Sequence, residues 1–207
     1  MAMTTQSASA RPLPQGKISY EEFLQWLDED TWAEWVDGEV QLMSPVSGEH
    51  QLVSIYLKTL LAYFVSTREL GVVLDEPFHM RGAPDLPSRS PDILFVHSKN
   101  LHRLKAHFLD GPADLVVEVI SPESRSRDRG EKYYEYEQAG VREYWIVDPD
   151  RKQVEFHVLT PQGIYHPAFV GSEGEYHSTA VEGFWIRVEW LWQRPPMQEV
   201  LKAWGWF

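Results

Sequence analysis

The sequence predicts an α/β protein in which a mixed β-sheet is flanked by helices. Three observations support this fold class. Helix-like and strand-like segments alternate along the chain, two short apolar runs have the composition of buried strands, and residues 45–70 carry apolar residues on two adjoining helical faces. The length of 207 residues suffices for a sizeable core. We expect a flexible segment over residues 1–17, which begins Ser/Thr/Ala/Pro-rich, and a single domain over residues 18–207.

The N-terminal elements are a short helix, a hairpin and a long helix. Ser19 and Glu22 have capping-box spacing and predict the start of the short helix. Alternation over residues 31–43 around Asp37-Gly38 predicts the hairpin. Residues 45–70 predict the long helix, and its wide apolar surface indicates burial on more than one side.

Strands dominate the rest of the chain, with one further helix between them. Residues 100–112 predict a loop with a helical turn, and residues 124–139 predict a helix that ends at Gly140. The tail to Phe207 is aromatic and partly helical. The predicted strands are 72–74, 78–80, 90–96, 115–120, 143–147, 153–159, 164–170 and 184–190.

Composition limits the possible chemistry. The chain has no cysteine, which excludes disulfides, thiolate nucleophiles and zinc ribbons. A metal site would therefore use oxygen or imidazole ligands, and oxygen ligands favour Mg²⁺, Ca²⁺ or Mn²⁺. No apolar run approaches the roughly 20 residues that cross a bilayer, and no secretory segment follows Met1. We expect a cytoplasmic protein without a membrane partner.

The distribution of charge leaves nucleic-acid binding open. The net charge of −12 argues against broad affinity for nucleic acid. However, residues 81–132 have nearly balanced charge, so the acid excess lies outside them. Basic residues of this window are either solvated surface or a rim that contacts phosphates. They are Lys99, His102, Arg103, Lys105 and His107, followed by Arg125, Arg127 and Arg129.

Two carboxylates interrupt the apolar strands. Asp92 begins one run and Glu118 lies within another, where strand alternation puts it on one face with Val116 and Ile120. The burial of a charged side chain costs roughly several kcal/mol of free energy unless the charge is paired or bound to a metal. For either acid taken alone, the favoured interpretation is a salt bridge, for instance to Arg125 or Lys132. The two together, on strands that can pair, favour a site that holds a cation.

Lys132 follows Glu118 by fourteen residues, in the predicted helix after the strand. A helix in this position can lay its side chains over the end of the strand. A lysine there can stabilise a developing oxyanion or orient a water molecule. The alternative is a surface lysine that pairs with Asp128 one helical turn earlier.

These residues resemble a known motif. Pro91-Asp92, Glu118-Val119-Ile120 and Lys132 resemble the PD-(D/E)XK nuclease superfamily, and the chain from about residue 18 to 192 resembles one branch, the Uma-two family of restriction-endonuclease-like proteins. The matching phrases are Trp35-Val36-Asp37-Gly38-Glu39, Met43-Ser44-Pro45 with His50, Pro91-Asp92-Ile93, Glu118-Val119-Ile120-Ser121-Pro122, Asp128 with Lys132, and the run from Ala139 to Asp148.

The resemblance implies a restriction-endonuclease-like core with an N-terminal hairpin and extra C-terminal strands. It also implies a Mg²⁺- or Mn²⁺-dependent endonuclease that acts on DNA. By position, Asp92, Glu118 and Glu34 would be the metal ligands, and Lys132 would be the fourth catalytic residue. His50 would position the site. The alternatives are a solvated hairpin acid for Glu34 and a bond that only positions the long helix for His50.

One departure from the superfamily pattern leaves a second function open. The usual lysine stands two residues after the glutamate, where this chain has Ile120, and Lys132 takes its place. The alternative is a weakly active or inactive nuclease fold that binds nucleic acid or protein. A carboxylate-pair glycosidase is a third reading. Five C-terminal tryptophans indicate core packing or the interface of the homodimer that we expect; they are Trp185, Trp190, Trp192, Trp204 and Trp206.

Overall fold

The computed structural model describes residues 12–28, 30–122 and 124–206. Residues 1–11 of the predicted flexible segment therefore lie outside the described part. The helices are α1 (Tyr20–Trp26), α2 (Gly48–Thr67), α3 (Arg125–Arg129), α4 (Glu131–Ala139), α5 (Trp190–Gln193) and α6 (Met197–Ala203), with a 3₁₀ helix at Ser98–Arg103. The strands are β1 (Ala33–Val36), β2 (Glu39–Leu42), β3 (Gly71–Asp75), β4 (His79–Arg81), β5 (Ser88–Arg89), β6 (Ile93–His97), β7 (Phe108–Asp110), β8 (Leu115–Val119), β9 (Glu143–Asp148), β10 (Gln153–Leu159), β11 (Tyr165–Gly171), β12 (Glu175–His177) and β13 (Trp185–Arg187).

The centre of the fold is a six-stranded sheet in the order β11-β10-β9-β8-β6-β3. Strands β8 and β9 are parallel, whereas β6 pairs antiparallel with both β8 and β3. The sheet is therefore mixed, and helices cover its faces. This confirms the α/β fold class and the predicted hairpin, which is β1–β2.

The two faces of the central sheet bury different partners. Leu115, Val117 and Val119 of β8 pack in one apolar cluster with α2 and the C-terminal segments. Val116 and Ile120 pack in a second cluster, which contains Tyr136 of α4. Strand alternation therefore puts Glu118 on the α4 side, as predicted.

A second, five-stranded sheet has the order β2-β1-β5-β4-β7. Its strand β1 pairs with β5 through Trp35 and Ser88. Helix α1 packs beside this sheet through Phe23 and Tyr20, and its capping box at Ser19 is formed as predicted. This arrangement brings Glu34 of β1 and Arg89 of β5 into the interior.

Several segments differ from the prediction, and β5 and β12 are short strands that it does not contain. The helix predicted over residues 124–139 breaks at Gly130 into α3 and α4, because Gly130 has non-helical dihedrals (φ −114°, ψ −91°) and glycine is a poor helix former. Residues 108–110 form β7 rather than loop, since they pair in parallel with β4. The last predicted strand is shorter and gives way to α5. Pairing with a distant strand decides β7 and is not a local signal, whereas the break at Gly130 has a local cause in the glycine itself.

The C-terminal tryptophans pack within the chain. Trp190 belongs to the apolar cluster that contains α2, and the other four pack against that cluster. Phe64 of α2 contacts Trp204 and Trp206 at ring-centroid distances of 5.2 and 5.3 Å. These tryptophans therefore form core in the described part of the chain. Among the described residues, no helix combines the length and apolarity needed to span a bilayer.

A glycine at the start of β3 provides a test of the sheet geometry. A Cβ on Gly71 would lie 2.1 Å from the carbonyl oxygen of Val96, and Gly71 has φ +154°. Gly71→Ala is expected to lower the unfolding free energy by about 2 kcal/mol or more, because the backbone of an adjacent strand must move. Urea denaturation measures this change. Gly48→Ala is the control, since its Cβ meets nothing within 4 Å; equal midpoints for the two variants would contradict the close approach.

Candidate active site

A cavity of about 730 Å³ opens where β6 begins and β8 ends. Its lining residues come from the β2–α2 connection, the start of α2, the residue after β3, the residues before β6, the end of β8 and the residues after it, the α3–α4 segment and residues 149–150. The charged and titratable residues that matter below are His50, Glu76, Asp92, Glu118, Arg127, Asp128 and Lys132. The structure therefore brings Asp92, Glu118, Lys132 and His50 to one place, as the sequence predicted.

Strand register sets three carboxylates in a row. Asp75 pairs with Ile93 across β3 and β6, and Ile93 pairs with Val117 across β6 and β8. One residue beyond these pairs lie Glu76, Asp92 and Glu118 respectively. Directly opposed residues point to the same face of a sheet. The three carboxylates therefore lie on the same face of the sheet, and all three line the cavity.

Asp92 is held from two sides. Its Oδ2 accepts a hydrogen bond from the backbone N–H of Val119 at 2.6 Å, and its Oδ1 lies 3.1 Å from Nε2 of His50. His50 is placed by the start of α2, where its N–H donates to Ser47. Burial lowers the pKa of His50, but the hydrogen bond and negative charge of Asp92 outweigh this and raise it. His50 therefore contacts the site directly as well as positioning α2.

Glu76 completes a group that could hold a metal ion. One ligand atom from each of His50, Glu76 and Asp92 lies within 4.8 Å of the others. Burial raises the pKa of Glu76, and the charge of Asp92 raises it further. Sequence reasoning missed Glu76. The available signal was its position directly after the strand that pairs with the Asp92 strand.

Glu118 and Lys132 form a buried pair. Nζ of Lys132 lies 2.9 Å from Oε1 of Glu118, which also accepts a hydrogen bond from Tyr136 at 2.7 Å. Burial raises the pKa of Glu118, Lys132 lowers it, and the charges of Asp128 and Asp92 raise it again, so the net direction is upward. Lys132 is 2% exposed. Nζ of Lys132 also lies 3.5 Å from Oδ1 of Asp128. This is the ion pair of the alternative prediction, but it lies inside the site and not on the surface.

Glu34 lies behind Lys132 and is not among the cavity-lining residues. It is fully buried, which excludes a solvated hairpin acid. Its Oε1 accepts from the N–H of Ser90 at 3.1 Å and lies 3.6 Å from Nζ of Lys132, while its Oε2 accepts from Arg89 at 3.0 Å. Burial raises the pKa of Glu34, but the charges of Lys132 and Arg89 lower it to about 2. Glu34 is thus an anion that contacts Lys132 and Arg89.

Arg89 joins Glu34 to α4. Its guanidinium is 1% exposed and donates to both oxygens of Glu135, at 2.7 and 2.6 Å, as well as to Glu34. Burial lowers the pKa of Arg89, but these carboxylates raise it above its ordinary value. Arg89 was not predicted from the sequence. An arginine three residues before Asp92 was the only signal.

The basic residues of the window 81–132 divide into two groups. The first group surrounds the 3₁₀ helix after β6, at the end of the strand opposite Asp92, and none of its members lines the cavity. In the second group, Arg125 and Arg129 bind Asp148 and Glu155. Arg127 alone of the two groups lines the cavity. Among the described residues, the phosphate-contacting rim that the sequence leaves open therefore reaches the cavity through Arg127 alone.

Comparisons with known proteins agree with this fold. A crystal structure described as a putative nuclease belonging to DUF820, from Anabaena variabilis, superposes with a TM-score of 0.71 at 16% sequence identity, over 85% of this chain and 98% of that one. This similarity supports the fold alone. An uncharacterized protein of Synechocystis sp., slr1290, is 28% identical over 171 residues, or 78% of this chain and 83% of that protein.

The comparison with family models tests the predicted membership of the Uma-two family. The model of the Uma2 family, described as "Putative restriction endonuclease", matches residues 20–189. This range includes the carboxylate row, Lys132 and the five- and six-stranded sheets. The resemblance read from the motifs is thereby confirmed, and the chain belongs to the Uma2 (Uma-two) family of the restriction-endonuclease-like class.

Proposed function

We propose that this protein is a metal-dependent endonuclease that hydrolyses phosphodiester bonds of DNA. The observation that carries the proposal is the row of Glu76, Asp92 and Glu118 beside the buried ammonium of Lys132, at one cavity of a nuclease-family fold. Carboxylates beside a lysine are the groups that metal-assisted phosphoryl chemistry requires.

The donor set fits a divalent cation. Burial is the main cause that raises the pKa of Glu76 and of Glu118, and the negative charge of Asp92 raises both further. A bound cation would remove this repulsion by Asp92. Carboxylate oxygens favour Mg²⁺ or Mn²⁺, and the imidazole of His50, a ligand typical of transition metals, favours Mn²⁺ over Mg²⁺. Asp92, Glu76 and His50 would hold the ion, with Glu118 as a further ligand. When bound, it would acidify a water molecule and polarise the phosphoryl oxygen.

Lys132 supplies a fixed positive charge. Burial lowers its pKa, but Glu118, Glu34 and Asp128 more than compensate and raise it, so the amine stays protonated at neutral pH. Its ammonium can stabilise negative charge that develops on the phosphoryl group. Glu34 contacts the same ammonium from behind the cavity. We therefore assign Glu34 to positioning Lys132 rather than to the metal.

Asp92→Asn tests the proposal. The substitution keeps the shape but removes the charge, so Mg²⁺ or Mn²⁺ binding measured by calorimetry is expected to disappear. Metal-dependent nicking of supercoiled plasmid is expected to fall by at least about two orders of magnitude, as when a group that stabilises transition-state charge is lost. Asp85→Asn, at an exposed aspartate outside the cavity, is the matched control and should leave both unchanged.

Two outcomes would contradict the proposed endonuclease activity. The first is full nicking by Asp92→Asn, which would place the chemistry elsewhere. The second is a wild-type protein that retains DNA without any metal and does not cleave it. That result would favour the binding module, in which Ile120 at the usual lysine position marks lost activity.

A further inference from the structure

Arg127 differs from the arginines on either side of it. Arg125 donates to Asp148 at 3.0 and 3.2 Å, and Arg129 donates to Glu155 at 2.7 Å. For the side chain of Arg127, the described residues offer no ion pair, and its buried Nε has no hydrogen-bond partner. The side chain of Arg127 is half-buried, and a nitrogen that is removed from water, as its Nε is, rarely lacks an acceptor.

The position of Arg127 relates it to the carboxylate row. It lines the same cavity as Asp92, Glu118 and Lys132. The chain leaves β8 one residue after Glu118, turns through Ser121, and enters α3, which carries Arg127. The break at Gly130 then separates this arginine from the helix of Lys132. The two cations thus approach the cavity from different helices.

The charge balance of the cavity leaves a function for an unpaired cation. Lys132 is already neutralised by Glu118, Asp128 and Glu34, at 2.9, 3.5 and 3.6 Å. Asp92 and the other acids repel a phosphodiester anion. Among the described side chains that line the cavity, Arg127 is the cation without an ion pair, so its charge remains available to attract a phosphate. The planar guanidinium matches phosphate oxygens in bidentate geometry.

We propose that Arg127 binds a backbone phosphate of the DNA strand that enters the cavity. This inference rests on the proposed function and adds the contact that recognises the substrate. Phosphate contacts carry no sequence information. The loss of Arg127 is therefore expected to weaken binding to all DNA sequences alike and to raise KM more than it lowers kcat.

Arg127→Gln and Arg127→Lys test the inference in the full-length protein. Fluorescence anisotropy with a labelled DNA duplex in Ca²⁺, at graded NaCl, is expected to show about tenfold weaker binding for Arg127→Gln. The slope of log Kd against log salt should fall by about one for a lost phosphate contact. Arg127→Lys keeps the charge and should recover part of the affinity. Lys99→Gln makes the same charge change at the opposite end of β6 and should match the wild type.

The outcomes separate this inference from the proposed function. If the wild type nicks plasmid and Arg127→Gln has the same Kd for DNA and the same salt slope as the wild type, the proposed role of Arg127 is wrong. The proposed endonuclease activity is not affected by that result. Wild type that neither binds nor nicks DNA overturns both. Calorimetry with Mg²⁺ distinguishes a structural role, because a phosphate contact predicts unchanged metal binding in Arg127→Gln. Loss of metal binding in that variant would count against the inference.

Discussion

Lys132→Met is expected to lower the rate of metal-dependent DNA cleavage by about two to three orders of magnitude, the loss typical of a buried group that stabilises transition-state charge. The ammonium lies 2.9 Å from Glu118 and is the one cation close to that carboxylate among the described residues. Methionine fills a similar volume without the charge. Plasmid nicking under saturating Mg²⁺ measures the change in kcat.

The same substitution has a structural effect that must be measured beside it. Lys132 contacts three buried acids, so its loss leaves Glu118, Glu34 and Asp128 without this counterion. We therefore expect a lower melting temperature than in the wild type. We also expect a larger rise in melting temperature on adding Mg²⁺, because the acids that lost their counterion attract the cation more strongly and a ligand stabilises the state that binds it.

A matched control separates the two effects. Lys58→Met removes a half-exposed lysine of α2 that pairs with Asp75, and it should leave kcat unchanged. A folded Lys132→Met protein with wild-type kcat would show that Lys132 is structural only. The result would also remove the charged group that compensates for Ile120 in the proposed mechanism.

Arg89→Met is expected to lower the free energy of unfolding by about 3–5 kcal/mol, the cost of removing one partner from a buried ion pair. Arg89 is 1% exposed and Glu34 is fully buried, so water cannot replace the lost guanidinium. Glu135 loses both of its hydrogen bonds to the same group. Urea denaturation monitored by tryptophan fluorescence measures the change.

An exposed pair of the same chemistry serves as the control. Arg194 and Glu49 are separated by 2.6 Å, as are Arg89 and Glu135, but both side chains are solvent-accessible. Arg194→Met is expected to cost less than about 1 kcal/mol. The double variant Arg89→Met/Glu34→Leu should recover part of the stability lost in Arg89→Met, because it removes the unpaired buried charge. Equal losses for Arg89→Met and Arg194→Met would contradict the importance of burial.

The sequence predicted the parts of the site that have local signals. Asp92 and Glu118 interrupt apolar strands, and Lys132 stands at a fixed interval in the next helix, so composition and motif sufficed to find them. Glu76 follows a strand without interrupting it. Its relation to Asp92 depends on the antiparallel pairing of β3 with β6, which no local pattern specifies.

Glu34 shows that a match by position does not predict the contacts of a side chain. The match to the family's early acid predicted a metal ligand, with a solvated acid as the alternative. The structure excludes the solvated acid and shows hydrogen bonds from Arg89 and Ser90 to the two carboxylate oxygens. Those contacts arise because β1 pairs with β5, two strands that are far apart in sequence. In the fold, β7 was missed for the same reason, since its partner β4 is also distant.

The carboxylate row has a consequence for how this protein can diverge. Because the three acids follow paired residues of adjacent strands, the distances between them are inherited from the strand spacing of about 4.8 Å. Residues 43–47 and 149–150, which line the same cavity outside these strands, can change in sequence without altering that spacing. A one-residue slip of β6, however, would turn Asp92 to the opposite face. Substrate preference can therefore evolve in the loops, while the ion-binding geometry changes only if the sheet itself is re-registered.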